Sequence, residues 1–271
     1  MPFTPSHAAA ALLFTRTPLL PAAVVAGSVA PDLPYYVPLP VNRELTHEPL
    51  GVVTIDLAIA VVAFLAWQWV FRTPVLDLAP LWLRSRMPQR PAGRWWAPGT
   101  AAVPVVLVLV LSLIVGSITH LAWDEFTHPG WLVDQVPLLQ VQAGPLLVHK
   151  WLQHASSVVG LVAIAVFAVR WARGTPPVTV EAVVGTGLRR GAWVTVAVVF
   201  VVSALIGWAV SLLARQAAGL PFALLDPSVV FQTARVCVAS ALAAAVLACA
   251  AWYLLRARRG AGAQRARPLR D

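Results

Sequence analysis

Charge is what this sequence has least of. Only 11% of its 271 residues are Asp, Glu, Lys or Arg, against roughly 25% in a soluble domain. That leaves too little polar surface to wrap an aqueous globule. Lysine occurs once beside 19 arginines, and Ala and Val abound, a bias that points to a GC-rich bacterial genome. Cysteine is nearly absent. Cys237 and Cys249 lie in one apolar run, about 18 Å apart if that run is helical and so beyond disulfide reach. This excludes a disulfide-stapled scaffold and assigns both thiols to packing. The net charge of +9 would suit a nucleic-acid binder, but the arginines sit between apolar runs and in the tail, as topology-setting residues do. No nucleic-acid partner is expected.

What is present in quantity is long apolar sequence. Runs at roughly 50–71, 99–120, 149–172, 191–214 and 228–256 reach the roughly 20 residues that cross a hydrocarbon core. The expected fold is all-α, a polytopic membrane helix bundle of about five spans. Residues 1–256 should form one membrane-embedded domain, with 190–256 as scaffold helices and 257–271 as a basic, disordered tail. Basic residues concentrate in three regions that alternating helices place on one side: Arg72 to Arg94, Arg170 to Arg190, and Arg256 to Arg270. The positive-inside rule makes that side, and the carboxy terminus, cytoplasmic. Tryptophans agree: Trp67, Trp69, Trp95, Trp96, Trp171, Trp193 and Trp252 lie near the inner interface, and Trp123, Trp131 and Trp151 near the outer one. The expected location is the bacterial cytoplasmic (inner) membrane.

The first thirty residues follow a different pattern. "TPSHAAAALLF" opens a helix, with Thr4 or Ser6 as cap and Pro5 in its first turn. Arg16, Pro18 and Pro21 interrupt it before "LPAAVVAGSVAPD" resumes. A span containing an arginine and two prolines is costly, and no basic region precedes the apolar run as in a signal peptide. A re-entrant hairpin of two short helices, covered by the spans, returns Asp32 to the side where His7 began.

On that outer side the polar residues gather. All six histidines (His7, His47, His120, His128, His149 and His154) map there, with Asp32, Glu44, Glu48, Asp124, Glu125 and Asp134. Ionisable groups at membrane depth are expensive, so such clustering needs a cause. In "HLAWDEFTH", His120, Asp124 and His128 stand at i, i+4 and i+8. If the second span continues for two further turns they stack on one face, a donor set that suits Zn²⁺ or a similar divalent ion. The plainer reading is a polar helix end. Asp32, His47 and His154 come from other segments toward the same side. Asp56, inside the next span, is placed to orient a ligand histidine or to pair with a buried polar group.

The motifs "MPFTPSH", "GSVAPD", "THEPLG", "HLAWDEFTHPG" and "KWLQHASS", spread over about residues 1–170, resemble an uncharacterised family of multi-span bacterial membrane proteins that begins MPFTxSH. That family is similar to predicted membrane-bound metal-dependent hydrolases, and more distantly to zinc-dependent phospholipase C. The resemblance implies a His, Asp, His, then His-x-x-x-Asp ligand order, matched here by His7, Asp32, His47, His120 and Asp124. It departs where the phospholipase pattern has His-x-x-x-Glu, because Gln153 follows His149, and where it uses the terminal amine, because Met1 stands six residues before His7. One or two metals are therefore implied rather than three. In the membrane family position 149 is often aromatic, which favours His154 as the ligand.

The expected function is a membrane-bound metal-dependent hydrolase acting at headgroup depth on a phosphoester of a lipid or envelope precursor. Its metal, zinc by preference, is held by His7, Asp32, His47, His120 and Asp124, with His128 and His154 next. Glu48, Glu125 or Asp134 supplies the general base. The segment 130–147 is either a lid or, more plainly, a connector. The alternatives are a protein that binds or transports a divalent metal, a bis-histidine haem protein, and a structural membrane protein with a polar network.

Overall fold

A computed structural model describes residues 4–87, 102–180, 184–224 and 226–265, and they are almost wholly helical. The sequence motifs that begin at Met1, and the expectations for Arg90, Arg94, Trp95, Trp96, Arg267 and Arg270, lie partly or wholly outside the described residues. The chain divides into two compact units, Met1–Gln68 with Gly93–Pro176, and Trp69–Ala92 with Pro177–Asp271.

The first unit begins with the expected short-helix hairpin. Helix α1 (Thr4–His7) runs on as a 3₁₀ segment (Ala8–Phe14), and α2 (Pro21–Val29), with Pro21 in its first turn, runs on as a second one (Ala30–Tyr35). Two short helices follow, α3 (Arg43–Thr46) and α4 (Pro49–Val53). Helix α5 (Ile55–Ala66) then starts after a kink at Thr54, whose φ of −120° and ψ of −88° belong to no helix. The long α8 (Ala102–Thr127) is followed by α9 (Trp131–Gln135), a small hairpin of β1 (Gln142–Ala143) and β2 (Leu146–Leu147), and α10 (Val148–Gly174). The connector expected to be a lid or a link is thus folded on itself. Gly144 supplies its positive φ of 66°, and Trp151 donates its indole N–H to the Ala143 carbonyl at 2.7 Å.

Alanine decides the packing. Ala23, Ala26 and Ala30 of α2 meet Ala60 and Phe64 of α5 and Leu109 and Leu113 of α8 in the buried core. The approach of α2 to α8 is closest at two glycines. A Cβ on Gly27 would stand 2.0 Å from the Leu113 carbonyl oxygen, and one on Gly116 would stand 2.3 Å from the Val24 carbonyl oxygen. Small residues of this kind let membrane helices touch backbone to backbone. Ser117 completes the seam by donating to the Gly27 carbonyl at 3.1 Å.

The second unit contains α6 (Arg72–Leu78), reached from α5 through a π turn, α7 (Leu81–Arg84), α11 (Thr186–Ala217) and α12 (Pro227–Arg265). Its polar node is Asp77. The carboxylate binds Arg84, accepts the Trp252 indole N–H at 2.7 Å and accepts the backbone N–H of Val184 at 3.3 Å. Arg189 donates to the Asp77 carbonyl at 3.2 Å. Two arginines expected only to set topology therefore pack this unit. Both cysteines are buried on α12 and unbridged.

Five helical stretches are long and apolar enough to cross a membrane: Ile55–Leu78, Pro104–Thr127, Val148–Gly174, Thr186–Ala217 and Pro227–Arg258. The expected runs match them in number and order. The first begins five residues later than expected because of the Thr54 break. The last helix continues to Arg265, where Ala and Arg, both strong helix formers, outnumber the two unfavourable glycines, Gly260 and Gly262.

Candidate metal centre

Four elements of the first unit meet at one point. His7 ends α1, Asp32 lies in the 3₁₀ turn after α2, His47 follows α3, and His120 and Asp124 stand one turn apart on α8. Helix α8 does continue the two turns beyond 120 that stacking of these residues requires. His120 and Asp32 are fully buried, and His7 and Asp124 nearly so.

Their polar atoms converge. The Nε2 of His120 lies 3.6 Å from Oδ1 of Asp32 and 3.7 Å from Oδ2 of Asp124. The Nε2 of His47 lies 3.7 Å from each of the same two oxygens. The Nε2 of His7 lies 3.7 Å from Oδ1 of Asp124. These separations are too long for hydrogen bonds. They are close to the edge of about 3.4 Å of a tetrahedron with metal–ligand arms of about 2.1 Å. Two overlapping sets could each hold a metal ion, His7 with Asp32 and His120, and His47 with His120 and Asp124.

The surrounding bonds turn the right atoms inward. His120 Nδ1 is 2.8 Å from the Ser28 carbonyl, which can only accept, so the proton sits on Nδ1 and Nε2 presents its lone pair. Thr46 donates to the Pro31 carbonyl at 2.9 Å, so its oxygen accepts from His47 Nδ1 at 3.0 Å, with the same result. Thr4 donates to Oδ2 of Asp32 at 2.7 Å and is 2.8 Å from the Tyr36 hydroxyl. This leaves Oδ1 of Asp32 for the centre. The ring of His7 stacks on that of His120, centroids 4.0 Å apart.

Burial governs the charges. It holds the Asp32 carboxyl up at about 6, against the opposing pull of the Thr4 hydroxyl. It holds the His7 imidazole down at about 4, with His120 beside it acting in the same direction. Both groups are thus in their metal-binding forms at neutral pH.

The remaining candidates divide. His128, just beyond α8, places Nδ1 3.5 Å from Oδ2 of Asp124, 3.1 Å from the Thr127 hydroxyl and 3.3 Å from the Asp124 carbonyl, so it borders the cluster. His154 is exposed on α10, whereas His149 is buried with Nδ1 3.0 Å from the Leu139 carbonyl. Glu48 and Asp134 are exposed. Glu125 accepts weakly from the Leu132 amide at 3.4 Å and shares with His47 the lining of a cavity of about 500 Å³. Asp56 is fully buried near His47, yet the hydrogen bond that orients His47 comes from Thr46. Thr4 bonds Asp32 instead of capping its own helix.

Sequence reasoning missed Thr4, Tyr36, Thr46 and the Ser28 carbonyl, which hold the centre in shape. It also missed Lys150, the lone lysine, which lies within electrostatic reach of Asp124 and donates to Gln153 at 2.9 Å. For Lys150 the signal was its rarity at an otherwise arginine-rich composition.

A model of a domain of unknown function, DUF4184, matches residues 1–251. The chain belongs to the DUF4184 family. That description names no reaction. No curated protein and no solved structure matches this DUF4184 chain, so any activity must be argued from the centre itself.

Proposed function

We propose that this chain is a membrane-bound hydrolase that uses a single divalent metal, zinc by preference, to cleave a phosphoester presented at headgroup depth. The observation that carries the reading is the convergence of three imidazole Nε2 atoms and two carboxylates from four elements, with neighbouring separations of 3.6–3.7 Å. One ion follows from His120. The two candidate sets share it, and its Nδ1 is committed to Ser28, so one nitrogen serves both. Three imidazole nitrogens with the oxygens of two carboxylates suit zinc or a similar metal.

When bound, such a metal acts as a Lewis acid and lowers the pKa of water toward neutrality. The chain's own groups would do the rest. Glu125, the base candidate that shares a cavity with His47, accepts the proton of the attacking water. Lys150 offers a positive charge to the phosphoryl group from the α10 side. The arginine distribution supports an outward-facing centre in the bacterial inner membrane. Membrane lipids are the immediate partners, and a lipid or envelope phosphoester is the substrate class.

The test is metal content by mass spectrometry on detergent-purified protein, wild type beside His120→Ala and Asp124→Ala. The expected result is one equivalent in the wild type and none in either variant, followed by phosphomonoesterase or phosphodiesterase activity in the metal-loaded protein alone. A wild type that takes up no metal after reloading overturns the reading.

One observation favours metal movement instead. Asp56 is fully buried at the start of a span, its carboxylate accepts no hydrogen bond among the described residues, and it lies within electrostatic reach of His47. Such a group suits an ion path. Zinc uptake into proteoliposomes that Asp56→Asn abolishes would select that reading.

A further inference from the structure

A groove leads away from the centre along α8. Ile114, Ile118, Leu121, Ala122 and Glu125 line it, and their i, i+4, i+7, i+8 and i+11 spacing makes them one stripe of the helix. Pro49, Val52 and Val53 of α4 form the facing wall, and Trp131 and Leu132 of α9 form the end. Its ionisable lining residues are His47 and Glu125, both at the end beside the metal centre. Everything further along is apolar. Val53 and Ile118 are each about half exposed and Trp131 more so, so the groove opens sideways to whatever surrounds the helices. Around a span, that is lipid.

The geometry points to one occupant. Resting on the hydrolase reading above, we propose that this groove holds the hydrocarbon chain of the substrate, a single-chain-accessible phosphoester lipid whose polar end lies at His47. From Glu125 back to Ile114 the stripe covers about 16 Å of helix axis. It runs from the end of the span to its middle, as a chain hanging from headgroup depth does. A volume of about 500 Å³ is of the size that small-molecule sites use, roughly 300–1,000 Å³. A soluble phosphoester would leave all of that apolar wall unused. An ordinary bilayer lipid would have no reason to stop at a histidine and a glutamate.

The probe is hexadecyl phosphate carrying a diazirine midway along its chain, photolysed with the full-length, zinc-loaded protein in detergent and mapped by peptide mass spectrometry. Labels are expected on Val52, Val53, Ile114 and Ile118. Excess unlabelled hexadecyl phosphate should reduce them at least about tenfold, and hexadecanol or ethyl phosphate should not. Ile118→Trp, which fills the groove, should lose the labelling by a similar factor while keeping its zinc. Val162→Trp, on the exposed face of α10, should change nothing. If Ile118→Trp loses zinc, Val53→Trp from the opposite wall replaces it. Labels spread evenly over exposed positions such as Val162 and Val166, or competition by hexadecanol equal to that by the phosphate, overturn the proposal. The two readings fail separately: absence of zinc in the wild type removes the hydrolase, and zinc with scattered labels removes only the chain groove.

Discussion

His120 and His47 owe their reactive nitrogens to groups that never touch the centre. A carbonyl fixes the first and a threonine the second, whose own proton is already given to Pro31. Removing such an outer partner typically lowers metal affinity about 10–100-fold. Thr46→Val should therefore weaken zinc binding by about that factor in competition with a chelator of known affinity, and Thr46→Ser should restore most of it. Equal affinity in all three proteins would mean that His47 needs no outside help. Protonation supplies a second expectation. Asp32, raised to about 6 by burial, takes up a proton in the folded state before the unfolded chain does. His7, lowered to about 4, refuses one that the unfolded chain accepts near 6.5. On acidification from 6.5 toward 4 the first shift favours the metal-free fold and the second opposes it. Metal uptake has no such cancellation, because both groups must be deprotonated. Zinc affinity, measured against a competing chelator, should therefore decline as the pH falls below about 6 and Asp32 gains its proton, and an affinity unchanged between pH 7.5 and 4.5 would exclude Asp32 as a ligand. The ligand types were legible in the sequence because His120 and Asp124 announce themselves by helical spacing. Thr4, Thr46 and Ser28 were not, because their roles depend on which backbone folds over them, and nothing in their local spacing encodes that.

At the scale of the element, the seam between α2 and α8 sets the distance between Asp32 and His120. Gly27 and Gly116 face each other there, with the Gly27 Cα 2.9 Å from where a Cβ of Gly116 would stand. Gly116→Ala therefore pushes α2 off α8, and overpacking of this kind costs typically about 1–3 kcal/mol. The expected outcome is a lowered unfolding temperature together with weakened zinc binding, though position 116 is no ligand. Ser112→Ala, on the same helix and near the same seam, should lower the unfolding temperature and leave zinc binding intact, since it loses a bond from the Leu20 amide and one to the Val108 carbonyl of its own helix but adds no atom to the seam. Normal zinc affinity in Gly116→Ala would show that the seam does not govern the centre. The helices themselves were readable from hydropathy, including the two-helix amino-terminal hairpin. Their ends were less so. Thr54 breaks a run that hydropathy treats as continuous, and a π turn carries the same run onward past residue 71, neither of which leaves an apolar signature.

Across the whole molecule, the residues of the candidate centre belong to the first unit, and a different polar node organises the second. Asp77 collects Arg84, Trp252 and the Val184 amide at one buried carboxylate, while charge counting had assigned the arginines of both neighbouring loops to topology alone. An arginine at a helix end looks the same in sequence whether it meets phosphate headgroups or a buried aspartate. What distinguishes them is the fold around Asp77: Arg84 reaches its carboxylate from seven residues away, and Val184, Arg189 and Trp252 close on the same residue from more than a hundred. Removing one partner of a buried pair leaves the other charge uncompensated and costs about 3–5 kcal/mol. Asp77→Ala should therefore loosen the second unit, and the two cysteines report it, since Cys237 and Cys249 are both buried on α12. On slow heating with a maleimide present, Asp77→Ala should become thiol-reactive well below the wild type's temperature. Zinc release, followed in the same samples with a chromogenic chelator, reports the first unit. If the units fold independently, the temperature of zinc release stays where it is in the wild type. If zinc leaves as the thiols open, the second unit is required for the centre, and the part of the chain without recognisable chemistry carries more than scaffold.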